Sequence, residues 1–249
     1  MEPNIFWQET LTVQSSETDF QKRLKLSRFF LWMQDAASTH ADSLGFGFEA
    51  MAKQDTAWVL SRIKVVFNAV PEMGETVQLR TWPKGIQQKL FFMRDYSLTG
   101  ENGQVYGLAS TAYVVINTRT RRIVPPQMLS IAVPDNNGAY AIDEPLEKVP
   151  PVEPLQPCFS VQVGYSSVDI LGHVNNARYI DWVTDCFSLE EHRAKKPAWI
   201  QINYLNEVKP GETVNLFRGQ NPADPRQWYV TATNQNTGAK SFEAEIYLE

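Results

Sequence analysis

The feature that most constrains this chain is that it repeats itself. At an offset of 150 and with no gap, Val13 meets Val163, Ser16 meets Ser166, Asp19 meets Asp169 and Arg28 meets Arg178. Trp32 then meets Trp182, Asp35 meets Asp185 and Ser38 meets Ser188. At an offset of 137, Ile63, Val65 and Phe67 meet Ile200, Ile202 and Tyr204, and Gly74-Glu75-Thr76-Val77 meets Gly211-Glu212-Thr213-Val214, four identities in a row. The offset falls by 13 because the first copy carries a longer segment after its helix. Two blocks of matches at this density mark a duplication, so whatever one half folds into, the other folds into as well.

Each half reads strand, helix, then four strands. In the first, residues 8–15 alternate apolar and polar, as a strand does. Residues 25–40 follow with Phe29, Trp32, Met33, Ala36 and Ala37 on one helical face, and Ser27 is the expected N-cap region. Strands are expected at 58–70, with Val59, Ile63, Val65 and Phe67 on one face, at 76–82, and in a hairpin of 87–98 and 104–117 around Gly100-Glu101-Asn102-Gly103. A short strand is expected at 121–124. In the second half the helix is expected from Asn176 to Phe187 or beyond, with strands at 159–165, 199–208, 213–218, 228–233 and 241–248. Between the halves, eight of the chain's 15 prolines fall within residues 125–157, and Asn136-Asn137-Gly138 marks a turn there. Proline at that density blocks helix and central strand alike, so this segment reads as a linker laid across the surface. The expected domains are 1–124, a linker 125–157, and 158–249. A single long helix per antiparallel sheet is buried most economically inside the sheet's concave face. The fold class is therefore α+β, with two such halves forming an intramolecular pseudo-dimer that predicts clefts between them.

Composition narrows the function. At 43% hydrophobic and 20% charged residues, 249 residues suffice for a sizeable core. Acidic residues outnumber basic ones 28 to 23, which argues against nucleic acid as a partner. Met1-Glu2-Pro3-Asn4 lacks the basic and apolar regions of a secretory signal, and no apolar run approaches the ~18–20 residues that span a bilayer. Two cysteines, Cys158 and Cys186, imply no disulfide framework. The expectation is a cytoplasmic protein without a membrane partner.

The halves differ where chemistry would sit. Opposite His173 stands Arg23, opposite Asn175 and Asn176 stand Lys25 and Leu26, and opposite Glu207 stands Val70; only the Asp19/Asp169 pair is shared. Polar groups needed for folding alone would be needed twice, so their one-sided presence points to one site, in the second half. Asp169-Ile170-Leu171-Gly172-His173-Val174-Asn175-Asn176 runs straight into an amphipathic helix, whose N-terminal amides can hold a developing negative charge. His173 suits a general base at neutral pH, with Asp169 or Glu207 beside it; Asp169 could instead act as a nucleophile. Gly172, Asn175 and Asn176 would support the loop and the oxyanion, one asparagine capping the helix. Glu207 is placed near the end of a strand.

Rival readings are weaker. His40 lies on the apolar face of the first helix and reads as a core histidine; His192 reads as a solvated helix end. No histidines or cysteines have metal-ligand spacing, so neither metal nor cofactor is expected. Cys186 lies three turns along the helix and reads as packing rather than a nucleophile, and no G-x-S-x-G occurs. Gly45-Phe46-Gly47-Phe48-Glu49-Ala50 follows a helix, not a strand, and so is no dinucleotide fingerprint. Arg119, Arg121 and Arg122, and Arg193, Lys195 and Lys196, form small basic clusters that read as solvated faces.

The loop Asp169 to Asn176 with Arg178-Tyr179-Ile180-Asp181-Trp182 resembles the signature of the acyl-ACP thioesterases of plants and bacteria. Asn203-Tyr204-Leu205-Asn206-Glu207-Val208-Lys209-Pro210-Gly211 resembles that family's second catalytic block. Trp32-Met33-Gln34-Asp35-Ala36-Ala37, Leu44-Gly45 and Trp58-Val59-Leu60-Ser61-Arg62 resemble its first half. The resemblance implies tandem hot-dog folds hydrolysing fatty acyl thioesters of acyl carrier protein, with no cofactor. The N-terminal half would hold the acyl chain, and a homodimer of the whole chain is compatible with the sequence. Of the family's Asp, Asn, His and Glu, it assigns Asp169, His173 and Glu207; where the Asn is expected, two residues before the histidine, this chain has Leu171. The alternatives are an acyl-thioester dehydratase or hydratase on the same fold, or a non-catalytic acyl-binding module.

Overall fold

The computed structural model describes residues 5–129, 131, 133, 134, 136 and 138–249. Residues 1–4, on which the reading of the N-terminus rests, and Asn137 of the expected turn lie outside the described residues. The chain divides into two units, residues 1–146 and 147–249.

Unit 1 contains β1 (Trp7–Thr12), α1 (Leu26–Ser43), α2 (Phe48–Ala52), β2 (Thr56–Phe67), β3 (Thr76–Gln87), β4 (Phe91–Gly100), β5 (Val105–Asn117) and the two-residue β6 (Ile123–Val124). Its antiparallel order is β1-β3-β4-β5-β2, with β6 also on β5. Phe29, Trp32, Met33, Ala36 and Ala37, the expected face of α1, are all buried. Phe29 and Met33 are each 1% exposed, and burying a side chain of that size contributes about 1.5–3 kcal/mol. The helix touches both ends of the strand order. His40 stacks on Trp7 of β1 at 6.1 Å, and Phe29 meets Phe67 of β2 at 6.2 Å. A flat sheet of five strands could not reach one helix from both ends, so the sheet curls around α1. This is the hot-dog arrangement.

Unit 2 contains β7 (Gln156–Gln162), α3 (Asn176–Asp185), α4 (Leu189–Ala194), β8 (Pro197–Tyr204), β9 (Thr213–Gln220), β10 (Gln227–Asn234) and β11 (Lys240–Leu248). Its order, β7-β9-β10-β11-β8, repeats that of unit 1 strand for strand. No helix among the described residues is long and apolar enough to cross a membrane.

Several expectations need correction. The N-cap of α1 is Lys25, without a side-chain cap; Ser27 lies inside the helix and is buried. Residues 48–52 form a short helix that the glycines around it concealed. Gln87 ends β3 rather than opening β4. The helix expected from Asn176 ends at Asp185, and Ser188 opens α4 with a capping box. Val59 does not share a face with Ile63 and Val65. A bulge at Ser61 shifts the register between Leu60 and Arg62, so Val59 pairs with Val114 but Ile63 with Thr111. One extra residue turns the strand over, and Val59 packs instead with Phe91, Met93, Ala112 and Val114.

The proline-rich stretch is not a surface linker throughout. Ile142 and Leu146 are 5% and 3% exposed. Residues 139–146 cannot join the sheet, so side chains of unit 1 satisfy their backbone instead. Trp82 Nε1 donates to the Ala139 carbonyl at 2.8 Å, and Ala141 N donates to Asp95 Oδ2 at 2.7 Å. Lys84 and Arg62 donate to the carbonyls of Ile142 and Leu146. Trp82→Phe keeps the ring but orphans the Ala139 carbonyl. We expect a loss of about 0.5–1.5 kcal/mol in urea denaturation and faster proteolysis within 136–146; an unchanged midpoint would show that this bond does not hold the strap.

Candidate active site

The loop before α3 is built by a set of backbone bonds. Asp169 N donates to the His173 carbonyl at 2.9 Å, and Gly172 N to the Asp169 carbonyl at 3.0 Å. The tight turn needs a left-handed residue, and Gly172 supplies it with φ 78°. Asp169 Oδ1 accepts from Leu171 N at 2.9 Å and, more weakly, from His173 N at 3.5 Å. Asn175 N donates to Ser167 at 2.9 Å, and Val174 N to the Val208 carbonyl at 3.0 Å. Asn175 caps α3, its Oδ1 accepting from Ala177 N at 2.9 Å.

The Val174–Val208 bond brings the functional groups together. His173 and Glu207 are each the residue before a member of that pair, so one anchored register sets them side by side. His173 Nε2 lies 3.3 Å from Glu207 Oε2, the two side chains 24% and 35% exposed. Glu207 does not sit on a strand end as expected. Strand β8 stops at Tyr204, and Glu207 occupies the turn that follows. Beneath the loop, Tyr204 Oη donates to the Asn176 carbonyl at 3.0 Å. Tyr179 is buried against Trp182, Tyr204 and Phe242 with ring centroids 4.9–5.5 Å apart. Its hydroxyl bonds the backbone of Val208, and burial raises its pKa. The sequence reading passed over both tyrosines as supports, although each lies within a stretch that carries the family resemblance.

Unit 1 contains the same loop without the chemistry. Asp19 N donates to Arg23 O at 2.8 Å, Leu24 N to Pro71 O at 2.9 Å and Lys25 N to Glu17 O at 2.9 Å. Asp19 Oδ1 accepts from Gln21 N at 2.8 Å and Arg23 N at 2.9 Å. Lys22, with φ 62°, stands where Gly172 stands. Arg23 turns back onto Asp19 at 3.1 Å. Around Val70 the space is an apolar pocket lined by Leu24, Phe29, Phe67, Leu98 and Tyr106 among others. Each unit thus keeps the aspartate that folds the loop, and unit 2 alone adds His173 and Glu207.

The remaining candidates separate cleanly. His40 is fully buried, with Nδ1 2.9 Å from Arg94 Nη1; a guanidinium only donates, so this nitrogen accepts. His192 is not simply solvated: its Nε2 lies 2.9 Å from the Thr184 carbonyl. Cys186 caps the C-terminal end of α3, about 15 Å from Asn176 at 1.5 Å per residue, so it is no partner for His173. The amides of Gly172, His173 and Asn175 donate within the loop and that of Val174 donates to Val208. The side chain of Leu171 is 48% exposed and offers no hydrogen-bonding group.

The profile of the acyl-ACP thioesterase N-terminal domain matches residues 4–130, and that of the C-terminal domain matches residues 157–247. The chain belongs to the acyl-ACP thioesterase family. It is 26% identical over 234 residues to the chloroplastic oleoyl-acyl carrier protein thioesterase 1 of Arabidopsis thaliana, which covers 86% of this chain and 64% of that protein. A palmitoyl-acyl carrier protein thioesterase of Gossypium hirsutum is 24% identical over 220 residues, 83% of this chain and 53% of its own length. The chain therefore spans between about half and two thirds of these plant relatives. The fold matches the crystal structure of an acyl-ACP thioesterase from Bacteroides thetaiotaomicron with a TM-score of 0.83 at 24% identity, covering both chains completely. It matches the 12:0-ACP thioesterase from Umbellularia californica with a TM-score of 0.78 at 20% identity, covering 99% and 98% of the two chains.

The paired loops make a reciprocal prediction. A Cβ on Gly172 would meet nothing within 4 Å, so Gly172→Ala costs only the left-handed dihedral, about 1–2 kcal/mol. Lys22→Gly removes a penalty of the same kind and raises thermal stability. If both substitutions shift the melting temperature in the same direction, the two loops are not equivalent.

Proposed function

We propose that this protein hydrolyses fatty acyl thioesters of acyl carrier protein, releasing the free fatty acid and the carrier. The observation that carries the reading is the His173–Glu207 pair, mounted on a loop that unit 1 reproduces without either residue. Membership of the acyl-ACP thioesterase family supplies the substrate class.

With Glu207 accepting from Nε2–H, the neutral imidazole presents Nδ1 as the base. Nδ1 takes a proton from water as its oxygen attacks the thioester carbon. The tetrahedral intermediate collapses with loss of the C–S bond, and the protonated imidazole returns the proton to the phosphopantetheine sulfur. Because the amides of 172–175 are engaged, the oxyanion falls to the N–H of Asn176, the first helical residue of α3, where no intrahelical acceptor exists and the helix dipole is positive. Asp169 is the positioning residue of the loop rather than a nucleophile, since Asp19 does the same work where no reaction is set up. Unit 1, with Arg23 and Val70 in those places, is assigned the acyl chain.

His173→Ala should lower kcat on acyl-ACP about 10²–10⁴-fold, the worth of a general base, with the circular dichroism spectrum unchanged. Near wild-type turnover by a folded variant would remove His173 from the mechanism. Glu207→Gln keeps an oxygen that can accept from Nε2–H but removes its charge, so it should cost about tenfold, the difference between a charged and a neutral hydrogen bond. Asp169→Asn separates the two roles of that residue. An amide retains the Oδ1 acceptor, so a positioning residue leaves kcat within about tenfold, whereas a nucleophile would be lost entirely. Release of free thiol and fatty acid across a series of chain lengths distinguishes hydrolysis from a dehydratase, which alters the chain without release, and from a binding module, which does neither.

A further inference from the structure

Unit 1 buries Lys84 and Arg94 on opposite faces of its sheet, and only one of these two cations is neutralised. The Lys84 side chain, 3% exposed, lies 3.5 Å from Asp95. Arg94, 7% exposed, has no carboxylate within ion-pair distance among the described residues. Asp95 is its neighbour in the chain but cannot serve it. Successive side chains of a strand point to opposite faces. Arg94 faces α1, where it meets His40, while Asp95 faces Lys84 and the strap. A guanidinium does not give up its proton in a protein, and a buried charge without a counter-ion is costly.

The position of that charge is fixed, and one edge of it is unused. Arg94 Nη1 donates to His40 Nδ1 at 2.9 Å and to Thr81 Oγ1 at 3.2 Å. Thr81 spends its own proton on the Asp95 carbonyl at 2.9 Å, so it accepts from Arg94 as a neutral group. Nε and Nη2 form the edge of the fork that takes a carboxylate through two parallel bonds. Neither donates to anything among the described residues, and neither is fully sealed from solvent. Tyr96 stands two residues on along the same face, and its buried hydroxyl has no hydrogen-bond partner among the described residues. Two residues back stands Phe92, its ring centroid 5.0 Å from that of Trp58, packed with Phe46, Met51 and Val115. The open edge of a cation therefore borders an apolar, largely aromatic wall.

We propose that the inner face of unit 1 carries a binding site for an aliphatic carboxylate. The carboxylate takes the Nε–Nη2 edge of Arg94, and the apolar chain lies against Phe92 and Trp58. Such a ligand supplies what the site lacks: a negative charge, two acceptor oxygens in one plane, and an apolar body. An alcohol of the same length fills the apolar part and leaves the charge unmet. In the hydrolysis proposed above, the aliphatic carboxylate formed is the free fatty acid, and the site then retains product. That identity rests on the hydrolytic reading; the binding of a carboxylate does not.

The test titrates the whole chain calorimetrically at neutral pH with octanoate, octan-1-ol and octylammonium. Octanoate should bind once per chain and at least about tenfold more tightly than octan-1-ol, since hydrogen bonds to a charged acceptor are roughly twice as strong as neutral ones. Octylammonium should not bind. The Nε–H resonance of Arg94 should move on addition of octanoate and not of octan-1-ol. Arg94→Gln should abolish the preference for the carboxylate. Should that variant fail to fold, Arg94→Lys keeps a charge without the fork and should lower the preference. Equal binding of octanoate and octan-1-ol, an unmoved Arg94 resonance, or an undiminished preference in a folded Arg94 variant would each overturn the proposal. Thiol release from acyl-ACP is measured in parallel. Octanoate bound at Arg94 without thiol release upholds this site and removes the hydrolytic reading; thiol release without the carboxylate preference does the reverse.

Discussion

One backbone hydrogen bond, Val174 N–H to the carbonyl of Val208, underlies the candidate site of unit 2. It joins the loop that opens α3 to the turn that closes β8, two segments with no sheet between them. With that bond made, His173 and Glu207 have no freedom to be anywhere but side by side. The bond is itself supported from below. The Tyr179 hydroxyl meets Val208 and the Tyr204 hydroxyl meets Asn176, so the aromatic cluster that caps the core also fixes both sides of the site. The twin bond from Leu24 to Pro71 shows that the same arrangement forms without a histidine and a glutamate beside it. The duplicated scaffold presents the same two positions twice, and unit 2 holds a histidine and a glutamate there where unit 1 holds Arg23 and Val70.

The duplication was legible in the sequence because framework positions obey the same physical demand in both copies. Asp19 and Asp169 must cap the same turn, Trp32 and Trp182 lie on corresponding buried helix faces, and the Gly-Glu-Thr-Val turns must return the same strand. The site was legible for the complementary reason: His173 and Glu207 break the repeat where the framework does not require it. What stayed hidden depends on contacts that periodicity does not encode. The bulge at Ser61 reverses a face without any change in residue type. The strap of 139–146 buries Ile142 and Leu146 although the proline-rich stretch suggests exposure, because its backbone partners are the side chains of Arg62, Trp82, Lys84 and Asp95, contributed from far earlier in the chain. Nor did the residue pattern reveal that Asp169 accepts from amides of its own loop, as Asp19 does in unit 1.

Buried charge in unit 1 follows from the strap as well. Lys84 and Asp95, whose side chains are 3% and 0% exposed, lie 3.5 Å apart and each bonds the strap backbone as well as facing the other. Two ions out of water are tolerable when hydrogen bonds satisfy their remaining capacity, and here the strap contributes those bonds. Burial still raises the pKa of Asp95, so its compensation is incomplete.

The shared strand order has a consequence for how the chain acquires its structure. Among the described residues strand β1 pairs with β3 alone, from Trp7 opposite Thr81 to Thr12 opposite Thr76, so the first strand of the sheet waits for partners more than sixty positions later. Helix α1 is therefore made, and its apolar face exposed, well before the sheet that will enclose it can close. Pairings this distant carry a large loop-closure entropy and are slow to form. On a ribosome, unit 1 would emerge as a helix in search of its wrapper, and its greatest exposure to aggregation would fall between the synthesis of Phe29 and that of the strap that completes it.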